Sequence, residues 1–118
     1  MPTLVACLST GKGTWGHINR VIEEETWDKV LLFTNEYGKE NFNKKDNVDL
    51  ITVNSDAGIQ ELIKEIQNHL KEKVSEAEVA VNFISGTGKE HMALISALLK
   101  TGVGIRLIAL TKDGIKEI

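Results

Sequence analysis

Twice in this chain an apolar run breaks into a glycine-rich loop that passes straight into a helical pattern. The first loop is Ser9-Thr10-Gly11-Lys12-Gly13-Thr14-Trp15-Gly16, after Thr3 to Leu8; the second is Ser85-Gly86-Thr87-Gly88-Lys89-Glu90, after Glu78 to Ile84. A strand that must turn at once into a helix needs a short crossover, and repeated strand-to-helix crossovers build a parallel sheet with helices on its faces. Glycines let backbone N–H groups converge at a helix start, where the peptide dipoles favour negative charge, so both loops have the makings of an anion cradle. The competing reading is that both are only tight turns.

The rest of the chain keeps the alternation. Ile18, Val21 and Ile22 form the stripe of a helix over Gly16 to Glu25, and Lys29 to Thr34 reads as the second strand. Glu36 to Asn43 suggests a short helix and Val48 to Val53 the third strand. Ser55-Asp56 offers an N-cap for a helix with Ile59, Leu62, Ile63, Ile66 and Leu70 on one face. The helix Glu90 to Leu99 is apolar nearly all round, which suits deep burial or a partner subunit. Gly102 and Gly104 end it, Ile105 to Thr111 is a fifth strand, and Asp113-Gly114 turns into a sixth, Ile115 to Ile118. The expectation is an α/β, doubly wound, mostly parallel sheet with a C-terminal antiparallel hairpin strand, in one domain of 118 residues. In such a sheet both loops lie at carboxyl ends of strands and face one crevice.

Net charge is only −3, so any polyanion must be held by local cations, which argues against a general nucleic-acid binder. The lone Cys7 sits in an apolar run and suits a buried position. No stretch has the ~18 apolar residues of a membrane span, and residues 1–20 lack the pattern of a secretion signal, so a cytoplasmic protein is expected. No His, Cys or carboxylate set has metal-ligand spacing, and neither a metal nor another cofactor is expected.

Gly11-Lys12-Gly13-Thr14-Trp15-Gly16 matches the G-x-G-x-x-G dinucleotide pattern, with Glu36 about twenty residues on where that motif places its ribose-binding acid. Lys12 and bulky Trp15 fit that pattern poorly, and a dinucleotide-binding module stays as the alternative. The second loop lacks the four-residue spacer of a P-loop, and Glu90 stands where Ser or Thr would meet magnesium.

The segment Asn82-Phe83-Ile84-Ser85-Gly86-Thr87-Gly88-Lys89-Glu90-His91-Met92-Ala93 resembles the Ser-Gly-Gly-Thr-Lys-x-Met signature of the CARF domains, the CRISPR-associated Rossmann-fold sensors of cyclic oligoadenylate. Ala6-Cys7-Leu8-Ser9-Thr10-Gly11 resembles the first-strand motif of that family, although Thr87-Gly88 inverts its Gly-Thr order. The resemblance covers nearly the whole chain and implies a Rossmann-like domain. Standing without a nuclease or helix-turn-helix module, it is similar to the small ring nucleases of CRISPR antiviral defence, which degrade the cyclic messenger. By that resemblance Ser9 and Lys89 bind the ring and act on it, and a homodimer holds it across the two-fold axis.

A cyclic oligoadenylate carries its own nucleophile, the ribose 2′-OH, so positioning by Ser9 or Thr10 and charge stabilisation by Lys89 would suffice for cleavage. A non-catalytic sensor would use the same loops. The ligand-binding set expected beside these is Gly11, Lys12, Gly13, Trp15, His17, Ser85, Gly86, Thr87, Gly88 and His91. Trp15 either stacks on adenine or covers the helix base, and His17 could reach a phosphate. His91 is a candidate acid or base, Asn82 needs an amide partner within an apolar strand, and Arg106 falls at the far end of its strand.

Overall fold

The computed structural model describes residues 2–118, without the side chain of Lys12. Its strands are β1 (Thr3–Cys7), β2 (Lys29–Thr34), β3 (Val48–Thr52), β4 (Glu78–Asn82), β5 (Gly104–Thr111) and β6 (Gly114–Glu117). Its helices are α1 (Trp15–Glu23), α2 (Glu36–Asn41), α3 (Ile59–Lys73) and α4 (Gly88–Thr101), and a 3-10 turn, Lys12–Thr14, leads into α1. The sheet order is β3-β2-β1-β4-β5-β6; β1 to β5 are parallel and β6 runs antiparallel to β5. The α/β doubly wound architecture expected from the alternation is the one observed.

Side chains alternate across a strand, and the core divides accordingly. Val5, Cys7, Leu31 and Phe33 join Leu62, Ile66, Leu70, Leu94 and Leu98 of α3 and α4 on one face of the sheet. Leu4, Ala6, Leu8, Val30 and Leu32 join Trp15, Ile18, Val21 and Ile22 of α1 on the other. Helices that follow β1 and β2 therefore cover one face and helices that follow β3 and β4 the opposite face. The reversal falls between β1 and β4, whose Ala6 and Asn82 are paired. In an open parallel sheet a crevice forms at this point, beyond the carboxyl ends of the strands.

Three boundaries differ from the sequence expectations, each for a local reason. The long helix starts at Ile59 with Gly58 as its cap, because Ser55 and Asp56 stay in the loop, where Asn54 Oδ1 accepts from the Asp56 N–H. Helix α4 begins two residues earlier, at Gly88, because Thr87 and Glu90 close a capping box. The hairpin turn is Lys112-Asp113, with Gly114 at φ +98° opening β6, a backbone angle that L side chains rarely adopt.

The apolar girth of α4 is split. Ala93, Leu94, Ala97 and Leu98 are buried, whereas Met92, Ile95 and Leu99 stand out at 64%, 39% and 66% exposure. Beside them Ile84, Leu107 and Ile118 are exposed too, because β5 runs directly into β6 and no helix follows it to cover that end of the sheet. No helix of the described residues is long and apolar enough to cross a membrane.

Candidate functional site

The two glycine loops meet through one buried hydroxyl. Ser85 has no exposed surface. Its Oγ accepts the Ser9 N–H at 2.8 Å and the Thr14 hydroxyl at 2.8 Å, and donates to Ser9 Oγ at 3.2 Å. A serine hydroxyl has one donor and two acceptor positions, so Ser85 is fully engaged. Ser9 Oγ in turn donates to the Gly11 carbonyl at 3.0 Å and keeps a lone pair for a further donor.

Several braces hold this junction. Asn82, 3% exposed at the end of β4, donates through Nδ2 to the Ile108 carbonyl and accepts the Ile84 N–H at Oδ1, which satisfies the amide that the apolar strand could not. Gly86 has φ +110°, and a Cβ there would lie 2.9 Å from Cys7 Cβ and 3.0 Å from His91 Nε2. That position requires glycine on both counts. Cys7 is the buried apolar residue its surroundings suggested; burial, and then the Glu90 carboxylate, push its thiol up, so it stays protonated.

Ser9, Thr10, Thr87, Lys89 and Glu90 line one cavity of about 510 Å³, together with Asn35, Ser55 and Asp56. Residues from the N-terminal and C-terminal halves thus share one basin. Lys89 Nζ bridges to the Ser55 carbonyl at 3.1 Å and to that of Ala57, which leaves one of its three N–H groups for a ligand. The start of α4 adds its dipole and the Gly88 and Lys89 N–H groups, which have no partner within the helix, while the Glu90 N–H is taken by the Thr87 hydroxyl at 3.1 Å. Glu90 is held in the capping box by the Thr87 N–H at 2.8 Å. Asn35, Ser55 and Asp56 were not foreseen as site residues. They follow β2 and β3, and only the parallel direction of those strands brings their loops to the same edge as the glycine loops.

Two expected ligand contacts are placed elsewhere. Trp15 is 9% exposed, gives its Nε1–H to the Ser9 carbonyl at 2.8 Å and sits edge-on to Phe42 at 5.5 Å. Its ring braces the first loop from below and offers no open face to adenine. His17 lies two residues along α1, about 200° around the helix from Trp15. It faces the other way, into a groove with Asn82, Phe83 and Ile84 beyond β4, and does not line the cavity of Ser9 and Lys89.

His91 is near the junction but already committed: its Nε2 lies 2.7 Å from the Ser85 carbonyl and its ring 5.0 Å from that of Phe83. A carbonyl only accepts, so Nε2 carries a proton and only Nδ1 remains for proton transfer. Lys12 belongs to the 3-10 turn, and its side chain lies outside the described residues. Gly11, Gly13, Gly16 and Gly88 all lack positive φ, and an added Cβ meets at most Ser9 Oγ at 3.9 Å. In a dinucleotide fingerprint the first glycine makes a tight turn and the third lets helix and strand pack closely, and neither need exists here. Arg106, at the opposite end of the sheet, pairs with Glu117 at 2.9 Å.

No three His, Cys, Asp or Glu side chains among the described residues come close enough to hold a metal ion. No protein-family model and no curated protein matches the chain.

Proposed function

We propose that this chain binds a cyclic oligoadenylate in the crevice between its two glycine loops and opens the ring, as the CARF-like ring nucleases that its second loop resembles do. The observation that supports this most is the shared basin: Ser9 and Lys89, eighty positions apart in the chain, line the same cavity at the switch point of the sheet. The Lys89 ammonium and the Gly88 and Lys89 N–H groups at the start of α4 supply the anion end. The lone pair left on Ser9 Oγ suits a ribose hydroxyl.

Ring opening needs no outside reactant. The 2′-oxygen attacks the adjacent phosphorus and its proton is released to solvent. A P–O5′ bond breaks and the leaving 5′-oxygen takes up a proton, so the new ends are a 2′,3′-cyclic phosphate and a 5′-hydroxyl. The protein's part is to align the attack and to stabilise the charge that grows on the phosphorus oxygens.

Two chains enclose the ring. Of the seven large apolar side chains that stand exposed among the described residues, Ile84, Met92, Ile95, Leu99, Leu107 and Ile118 occupy the α4 and β5 end of the molecule, and Tyr37 lies apart. A patch of that kind on a small domain marks an interface. Through Ile84 it runs up to Ser85, so a two-fold contact there brings two crevices side by side. Leu99→Glu, which puts a charge in that contact, is expected to convert a dimer to a monomer in light scattering with the melting temperature of the monomer preserved; a wild type that is monomeric at all concentrations refutes the pairing.

The decisive test mixes the protein with labelled cyclic tetra-adenylate in EDTA. Binding followed by linear products with 2′,3′-cyclic phosphate ends is expected. Lys89→Ala should bind the ring about ten- to a hundred-fold more weakly, the loss of one charge-assisted hydrogen bond. A ring that stays bound but intact limits the function to sensing, and absence of binding removes the proposal.

A further inference from the structure

Next to the glycine-loop basin is a second cavity of about 610 Å³ that shares Asn35, Ser55 and Asp56 with it. Its chemistry differs, since among the described residues it has no counterpart to Lys89. Glu36, Asp56 and Glu65 line it, no positively charged residue among the described residues does, and the exposed ring of Tyr37 forms part of its wall. A phosphate would be repelled there. A metal ion is no better served, since no three carboxylates among the described residues gather to ligand distance. Separated acceptors around a roomy cavity fit a ligand with several separate donors, such as ribose hydroxyls and the exocyclic amino group of a base.

The geometry points to a nucleoside subsite: with a phosphate against the glycine loops, the attached nucleoside extends past Asp56 into the acidic cavity, and its base stacks on Tyr37. Tyr37 is suited to this because it is 43% exposed and its ring is held against that of Trp15, tilted by 45° with centroids 6.1 Å apart. A supported aromatic ring is a low-entropy stacking platform. Asp56, common to both cavities, meets the ribose, and Glu36, next to Tyr37 in the chain, meets the base amino group. Thr52 lines the same wall, and its Oγ1 is the buried side-chain oxygen without a hydrogen-bond partner among the described residues. The subsite would thus favour adenine, which has an exocyclic amino group, over hypoxanthine, which has none.

This assignment deepens the ring-binding proposal and rests on its placement of the phosphate, and the two are separable by experiment. Titrate the full chain, by calorimetry, with 5′-AMP, 5′-IMP, inorganic phosphate and cyclic tetra-adenylate, using wild type, Tyr37→Ala and Glu36→Ala of unchanged melting temperature. AMP should bind more tightly than IMP or phosphate, Tyr37→Ala should weaken AMP and the ring about five- to a hundred-fold while leaving phosphate unaffected, and Glu36→Ala should erase the preference for AMP over IMP. Wild-type ring affinity in Tyr37→Ala overturns the subsite and leaves ring binding intact. Tyr37-dependent binding of AMP without any binding of the ring does the reverse. Indifference to every adenine-bearing probe overturns both.

Discussion

Gly86→Ala is expected to lower the melting temperature by about 8–15 °C, an effect of about 2–4 kcal/mol for a domain of this size. Two costs act together at that position. The backbone is held at φ +110°, where a side chain is strained whatever space surrounds it. The added methyl would also stand 2.9 Å from Cys7 Cβ, in a strand buried on both faces that has no room to retreat. The His91 ring, 3.0 Å away, is pinned by the Ser85 carbonyl and by Phe83. Any relief must therefore move the second glycine loop itself, so the same substitution should weaken ring binding beyond what its stability loss explains. Gly88→Ala is the control: its Cβ meets nothing within 4 Å and its φ is not positive, so it should leave the melting temperature within about 2 °C. Equal effects from the two substitutions would show that the turn is not built around Gly86.

Ser85→Ala is expected to cost about 2–4 kcal/mol in urea unfolding, because it strands the Ser9 N–H and the Thr14 hydroxyl together. A single lost hydrogen bond would cost less; the size comes from two half-buried groups that both depend on one fully buried hydroxyl. The same geometry predicts coupling. Thr14→Val alone should cost about 1 kcal/mol, and the double variant should be more stable than the sum of the two by about 1 kcal/mol, since the bond can be lost only once. Costs that add within about 0.5 kcal/mol would show that the loops are not held through this hydroxyl.

The core strands were legible because a strand buried on both faces must be apolar almost throughout, and Thr3 to Leu8, Lys29 to Thr34 and Glu78 to Ile84 leave no other use for their residues. Asn82 was legible for the complementary reason: a lone amide in such a strand must have a partner, and it has two. The convergence of the glycine loops followed from the rule that parallel strands end on one edge. Trp15 and His17 were not legible to that depth. An indole in a loop reads the same whether it stacks on a ligand or, as here, plugs the space beside Phe42, and a histidine two places further on is turned away by the helix itself. Nor could Ser55 and Asp56 be separated from a helix cap, since a cap and a cavity wall draw on the same short polar side chains.

What the sequence alone determined here is the alternation of buried strands and one-sided helices, and with it the doubly wound sheet, because hydrophobic period and glycine position act locally. What only the tertiary structure decided is which side chain of each loop faces ligand space and which is consumed in holding the loops. That choice depends on neighbours distant in the chain, Ser85 against Ser9 and Lys89 against the loop after β3, whose positions no local pattern carries.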